Sequence, residues 1–163
     1  MVLFSTTIAQ EIKLTPENTS IKFEITHLGV LTVVGTFDEF SGSIAYTDSG
    51  YFIKGIIIAQ SINTENTERD ETLRSDAYFD VGAYREIQFE GNGVQVEDTI
   101  NVIGTIFLKD LSTELVFDLI SKEGFLVAHQ IVLSRKKLGF TFGSTEFLIG
   151  DEVLISIEIE GSF

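Results

Sequence analysis

Apolar and polar residues alternate with a period of two along much of this chain, beginning at Ile21-Lys22-Phe23-Glu24-Ile25-Thr26. Successive side chains of an extended strand point to opposite faces, so such a stretch has one apolar face and one wet face. The pattern recurs at Ile87-Gln88-Phe89-Glu90, through Ile100, Val102, Gly104, Ile106 and Leu108, and at Ile155-Ser156-Ile157-Glu158-Ile159-Glu160. Denser apolar runs over 51–59 and 114–120 are rich in Ile, Val and Phe, which favour strand over helix. Turn-forming clusters punctuate these runs at Asp48-Ser49-Gly50, Gly91-Asn92-Gly93, Glu97-Asp98, Lys109-Asp110 and Lys122-Glu123-Gly124. The spacing predicts an all-β fold of about eight strands with short connections, a sandwich or a barrel.

Two segments depart from the pattern. Residues 67–79 read as a short helix: Thr67 followed by Asp70 resembles a capping box, Glu68 and Asp70 suit a positive helix start, and Asp70 with Arg74 has ion-pair spacing. Residues 136–150 interleave Gly139, Gly143 and Gly150 with Phe140, Phe142 and Phe147, and read as a long loop over a barrel mouth.

Composition narrows the chemistry. The 163 residues contain no cysteine, which excludes disulfides, thiolate nucleophiles and cysteine-held zinc. A net charge of −14 repels phosphate backbones and anionic lipid headgroups, so nucleic acid is not an expected partner. No apolar run approaches the ~18 residues of a membrane-spanning helix. Fourteen Phe and no Trp give an apolar interior rich in rings that need no hydrogen bonds, which suits a greasy cavity and a packed core alike. Residues 1–10 lack the basic and fully apolar regions of a signal peptide, yet resemble the tail of one. The stretch 1–13 is thus either an export remnant or a flexible start, ahead of one domain over 14–163. A periplasmic or secreted location is expected, with the cytoplasm left open.

Catalytic motifs are missing from the sequence. The two histidines, His27 and His129, lie far apart, and no Gly-x-Ser-x-Gly elbow or glycine-rich phosphate loop occurs. Glu68, Asp70 and Glu71, beside Arg69 and Arg74, read as a solvated, salt-bridged helix face. No metal, cofactor or catalytic residue is expected. His27 shares a strand face with Ile21, Phe23 and Ile25, and so points inward, either as a hydrogen-bonded structural residue or as a ligand contact.

A longer pattern emerges from Arg69-Asp70-Glu71-Thr72-Leu73-Arg74-Ser75, then Tyr78-Phe79-Asp80-Val81, Tyr84 and Ile87-Gln88-Phe89. Upstream stand His27-Leu28-Gly29-Val30, Gly35-Thr36-Phe37, Phe40-Ser41-Gly42-Ser43-Ile44 and Ser61-Ile62-Asn63-Thr64. Downstream stand Arg135, Leu138-Gly139 and Leu148-Ile149-Gly150-Asp151-Glu152-Val153. Taken together these residues resemble the YceI-like family of polyisoprenoid-binding proteins over about residues 14–163, with Thr72 where members usually carry His and Arg85 where they often carry Pro.

That resemblance implies an eight-stranded antiparallel lipocalin-like β-barrel, with a short helix between strands, that stores or transports a polyisoprenoid, isoprenoid quinone or fatty-acid-like lipid. Alternation places Phe23, Ile25, Phe37, Ile44, Phe89, Ile106 and Phe117 inside, with Phe79 and Phe140 near the mouth. His27, Arg74 and Arg135 are the polar candidates for a ligand head. Gly29, Gly35, Gly42, Gly55 and Gly104 provide bends or room for a ligand. If the chain self-associates, a homodimer is expected. Two alternatives stay open: an enzyme acting on such lipids, and a barrel filled by its own side chains.

Overall fold

A computed structural model describes residues 10–161. The described elements run β1 (Gln10–Leu14), β2 (Thr19–His27), β3 (Leu31–Phe37), β4 (Phe40–Thr47), β5 (Gly50–Ile58), β6 (Ile62–Asn63), α1 (Thr67–Arg74), β7 (Glu86–Val96), β8 (Thr99–Leu108), β9 (Leu111–Lys122), β10 (Phe125–Ser134) and β11 (Ile149–Glu160). Single 3-10 turns lie at Ala59–Ser61, Lys136–Leu138 and Gly143–Leu148.

The eleven segments follow eight paths around a barrel. β1 and β2 are halves of one bent strand, as are β3 with β4 and β5 with β6. Thus β1 pairs with β4 while β2 pairs with β3, and β5 pairs with β4 while β6 pairs with β3. From β5 the ladder continues through β7, β8, β9, β10 and β11, and β11 returns to β2, so the ring closes with every pairing antiparallel. Three strands break into two because the chain bends at 15–18, 38–39 and 59–61, which period-two alternation does not register. The β9–β10 ladder is short, limited to Phe125–Val127 against Ile120–Lys122, so these two strands part beyond their hairpin.

Tight turns join the strands at one end, with positive φ at Glu97 (57°) and at Glu123 and Gly124 (50° and 87°). Such backbones match the right-handed twist of the strands they connect. Gly91-Asn92-Gly93, expected to turn, instead lies inside β7, paired with Tyr51–Ile53 and with Val102–Gly104. Glycine serves close packing here. A Cβ on Gly93 would meet Ile100 Cγ2 at 2.6 Å, and one on Gly91 would meet the Phe89 ring.

The turn-bearing end is solid. Ile44, Val102, Leu119, Leu126 and Ile159 are almost wholly buried, joined by Tyr51, whose hydroxyl donates to Gln95 Oε1 at 2.5 Å. Gln10–Lys13 belong to this end of the wall, paired with Ser43–Tyr46, whereas residues 1–9 lie outside the described residues. The opposite end carries α1 with the 75–85 segment, the β2–β3 turn and the long 135–148 connection.

α1 is capped differently from the expected box. Asn66 is the N-cap and accepts from Arg69 N. Asp70 is buried, at 6% exposure, and accepts from Thr64 N and Oγ1. Arg74 does not pair with Asp70; its Nε and Nη2 donate to Gln60 O and Ile62 O at 2.8 Å, fastening the helix to the β5–β6 bend. Backbone carbonyls freed by the bend supply better-placed acceptors than a carboxylate on the same helix.

Candidate ligand-binding cavity

The barrel's inward face is mostly apolar, with Thr19, His27 and Arg135 among its polar exceptions, yet its middle is not filled. Phe23, Ile25, Phe89, Ile106, Phe117, Ile155 and Ile157 all line a cavity of about 640 Å³ and are only half-buried, because part of each faces that space even where neighbours touch, as Phe89 and Phe117 do at 5.8 Å between centroids. That open space argues against a barrel filled by its own side chains. An apolar hole of about 150 Å³ already holds a benzene ring, so this one accommodates roughly 25 carbon atoms.

Glycines open the space by housing rings. A Cβ on Gly35 would overlap the Phe23 ring, and one on Gly104 would overlap the Phe89 ring, which also lies over Gly91. The two phenylalanines therefore fold against the wall instead of standing in the lumen. Gly55 differs: its Cβ position has only Phe89 Cβ nearby, at 3.9 Å, and otherwise faces open space. Gly42 is closed off by Lys54 O and Leu14, and Gly29, at φ 71°, belongs to the β2–β3 turn.

Above the cavity, Phe79 packs edge-on to Phe37 (6.0 Å between centroids) and to Phe140 (4.8 Å), while Tyr78 stacks with Phe140 and lies tilted against Phe142. These rings close over this end of the barrel. Thr72 and Glu68 of α1, with Asn66, His27, Phe142 and Ile149, line the cavity at the same end, which we take as its mouth. Beside it Leu28 and Leu31 are about half exposed, and Val30 and Phe147 are each 84% exposed. Leu28 N donates to Leu148 O at 2.7 Å, joining the β2–β3 turn to the 143–148 turn.

Arg135 organises the long connection. It is 4% exposed, and all five of its N–H groups are engaged. Nε donates to Gly150 O, Nη1 to Phe140 O and Glu146 Oε2, and Nη2 to Glu146 Oε1 and Ile149 O. Its guanidinium also lies 4.9 Å from the Phe142 ring. The side-chain hydrogen bond from Arg135, aided by Phe142 N and Lys136, holds the Glu146 carboxyl down at about 2. Lys136 N and the Ser134 hydroxyl lower Asp151 likewise.

Of the twelve residues expected to meet a ligand, Phe23, Ile25, His27, Phe37, Ile44, Phe79, Phe89, Ile106, Phe117, Arg135 and Phe140 line the cavity. Ile44, at 0% exposure, belongs to its packed floor. Arg74 does not line it, since its donors face the β5–β6 carbonyls. Arg135 lines it with no donor to spare. Alternation could also have named Ile21, Val33, Ile155 and Ile157, which complete the wall. The mouth residues Asn66, Glu68 and Phe142 carry no periodic signal.

The YceI-like domain matches residues 13–161. The chain belongs to the YceI-like family. A UPF0312 protein of Staphylococcus aureus (strain bovine RF122) is 31% identical over 138 residues, 77% of this chain and 79% of the relative. A UPF0312 protein of Yersinia pestis is 30% identical over 96 residues, 56% of this chain and 50% of the relative. Solved structures share the fold. BcnA of Burkholderia cenocepacia has a TM-score of 0.74 at 14% identity, covering 86% of this chain and 94% of its own. A polyisoprenoid-binding domain from Saccharophagus degradans, implicated in plant cell wall breakdown, has a TM-score of 0.71 at 13% identity, covering 94% and 99%. The YceI protein of Campylobacter jejuni gives 0.69 at 22%, covering 84% and 88%.

Proposed function

We propose that this YceI-like protein binds a long apolar lipid of the polyisoprenoid, quinone or fatty-acid kind inside its barrel, and stores or carries it without making or breaking a bond. The observation that carries this reading is the open cavity of about 640 Å³ walled by half-buried Phe and Ile side chains. The likeness to a polyisoprenoid-binding domain supports it.

Magnitudes favour a long chain. Burying a methylene contributes about 0.8 kcal/mol, so about 25 carbons gain roughly 20 kcal/mol. Association costs about 4–15 kcal/mol before the chain itself is ordered. A short tail breaks even, whereas one that fills the cavity retains a surplus. Phe23, Ile25, Phe89, Ile106 and Phe117 contact the tail in this reading, and His27 stands where the polar end emerges.

Native mass spectrometry of the purified protein, followed by organic extraction, tests the proposal. The expected result is a stoichiometric apolar adduct that Gly55→Leu eliminates. A Cβ at that position meets only Phe89 Cβ, at 3.9 Å, so a side chain there extends into the cavity from an uncrowded start, and a melting temperature close to that of wild type is the control that the barrel survives. Wild-type protein that carries no adduct and takes up no added prenol, quinone or fatty acid overturns the reading.

A further inference from the structure

We infer that the cavity takes long lipids whose polar end is uncharged, such as an alcohol or a quinone ring, and discriminates against the same chains ending in phosphate or carboxylate. This rests on the lipid-binding reading above and concerns which class of head the mouth accepts.

The interior makes no demand for charge: among the described residues no buried side-chain nitrogen or oxygen lacks a hydrogen-bond partner. An anionic head must therefore find its counter-charge among the cations of the wall and mouth, most of whose donors are already engaged. Arg135 has all five N–H groups occupied and its charge matched by Glu146. Lys54 sits on the half-exposed outer face, 3.9 Å from Glu90 and over the Phe52 ring. Arg74 is held by two carbonyls outside the cavity.

Of the two arginines that line the cavity, Arg69 keeps unengaged N–H groups, its Nε and Nη2 donating to Thr64 Oγ1 and Thr64 O. It stands among Glu65, Glu68, Asp70 and Glu71, so its surroundings are acidic overall. Glu68 lines the mouth and has no ion-pair partner among the described residues. A phosphate there would lose water, gain one shared cation and face an unpaired carboxylate. Burying a charge without a matching partner costs far more than burying a hydroxyl that finds one hydrogen bond. The net charge of −14 adds repulsion during approach.

A neutral head is better served. His27 lines the mouth, and its imidazole makes no hydrogen bond or ion pair to the described residues. An imidazole offers a donor and an acceptor, which suits a hydroxyl or a carbonyl equally.

Delipidated protein titrated with geranylgeraniol and with geranylgeranyl monophosphate, two ligands with identical tails, tests this by native mass spectrometry. The alcohol should bind at least tenfold more tightly. Glu68→Lys, which reverses the mouth charge, should narrow that ratio about tenfold. Phosphate binding as tight as the alcohol overturns the inference and leaves the lipid-binding reading standing. A ratio unmoved by Glu68→Lys removes the mouth as its cause. Binding of neither ligand overturns the lipid-binding reading, and this inference with it.

Discussion

Arg135 and Glu146 meet through two parallel hydrogen bonds, Nη2 to Oε1 at 2.9 Å and Nη1 to Oε2 at 3.1 Å. Three backbone carbonyls complete the arginine's shell, so one buried side chain ties β10, the 139–148 stretch and the start of β11 into one cover beside the cavity. Replacing it by Met leaves those acceptors to water and removes the tie. We expect Arg135→Met to lose about 3 kcal/mol, a fall in Tm of roughly 6–12 °C for a domain of this size. Hydrogen exchange should quicken over 139–148. Lysine should not rescue, because a three-donor point charge cannot replace a five-donor fork. A variant that melts with wild type contradicts this role.

The same pair sets an acid limit. Glu146 is held down to about 2 from an ordinary 4.5, and Asp151 is lowered too. A carboxylate depressed in the folded state stabilises it above the unfolded value, and the gain disappears as pH falls through the folded one. Stability should therefore decline between about pH 4.5 and 2. Urea midpoints across that window should show the gap between wild type and Glu146→Gln closing as pH drops. A gap of constant size would mean the ionised carboxylate contributes nothing.

Gly35 and Phe23 form a matched pair across β3 and β2, the ring occupying the place of the missing side chain. Gly35→Ala should push the ring into the lumen, costing about 1–3 kcal/mol as overpacking does and reducing lipid uptake. Adding Phe23→Leu should recover most of the stability. Strict additivity of the two changes in a double-mutant cycle would show that ring and glycine are not coupled.

How much of this was legible in the sequence depends on what each residue touches. Alternation located the inward faces, because the strand period does not depend on neighbours, and so Phe23, Phe89, Ile106 and Phe117 line the cavity as expected. It could not show that Gly35 and Gly104 serve those rings rather than a ligand, since that requires knowing which strands are adjacent. Gly91-Asn92-Gly93 has turn composition but sits mid-strand for the same reason. The charged residues were least legible: Asp70, Arg74 and Arg135 all bond to groups outside their own element, chosen by the tertiary fold.

The packed floor and the hollow middle should respond differently to the same deletion. Leu126 is almost fully buried against Ile159, so Leu126→Ala should cost about 2–5 kcal/mol, combining lost transfer energy with a new void. Ile155, paired with Phe23, already borders open space, and Ile155→Ala enlarges an existing cavity instead of creating one. In delipidated protein its cost should be less than half that of Leu126→Ala. With a lipid bound, Ile155 gains a packing partner and its truncation should become more costly, while the Leu126 penalty stays the same. Thermal melts of both variants with and without geranylgeraniol measure the four values. Lipid that changes the two penalties equally would place the bound chain somewhere other than the hollow half of the barrel.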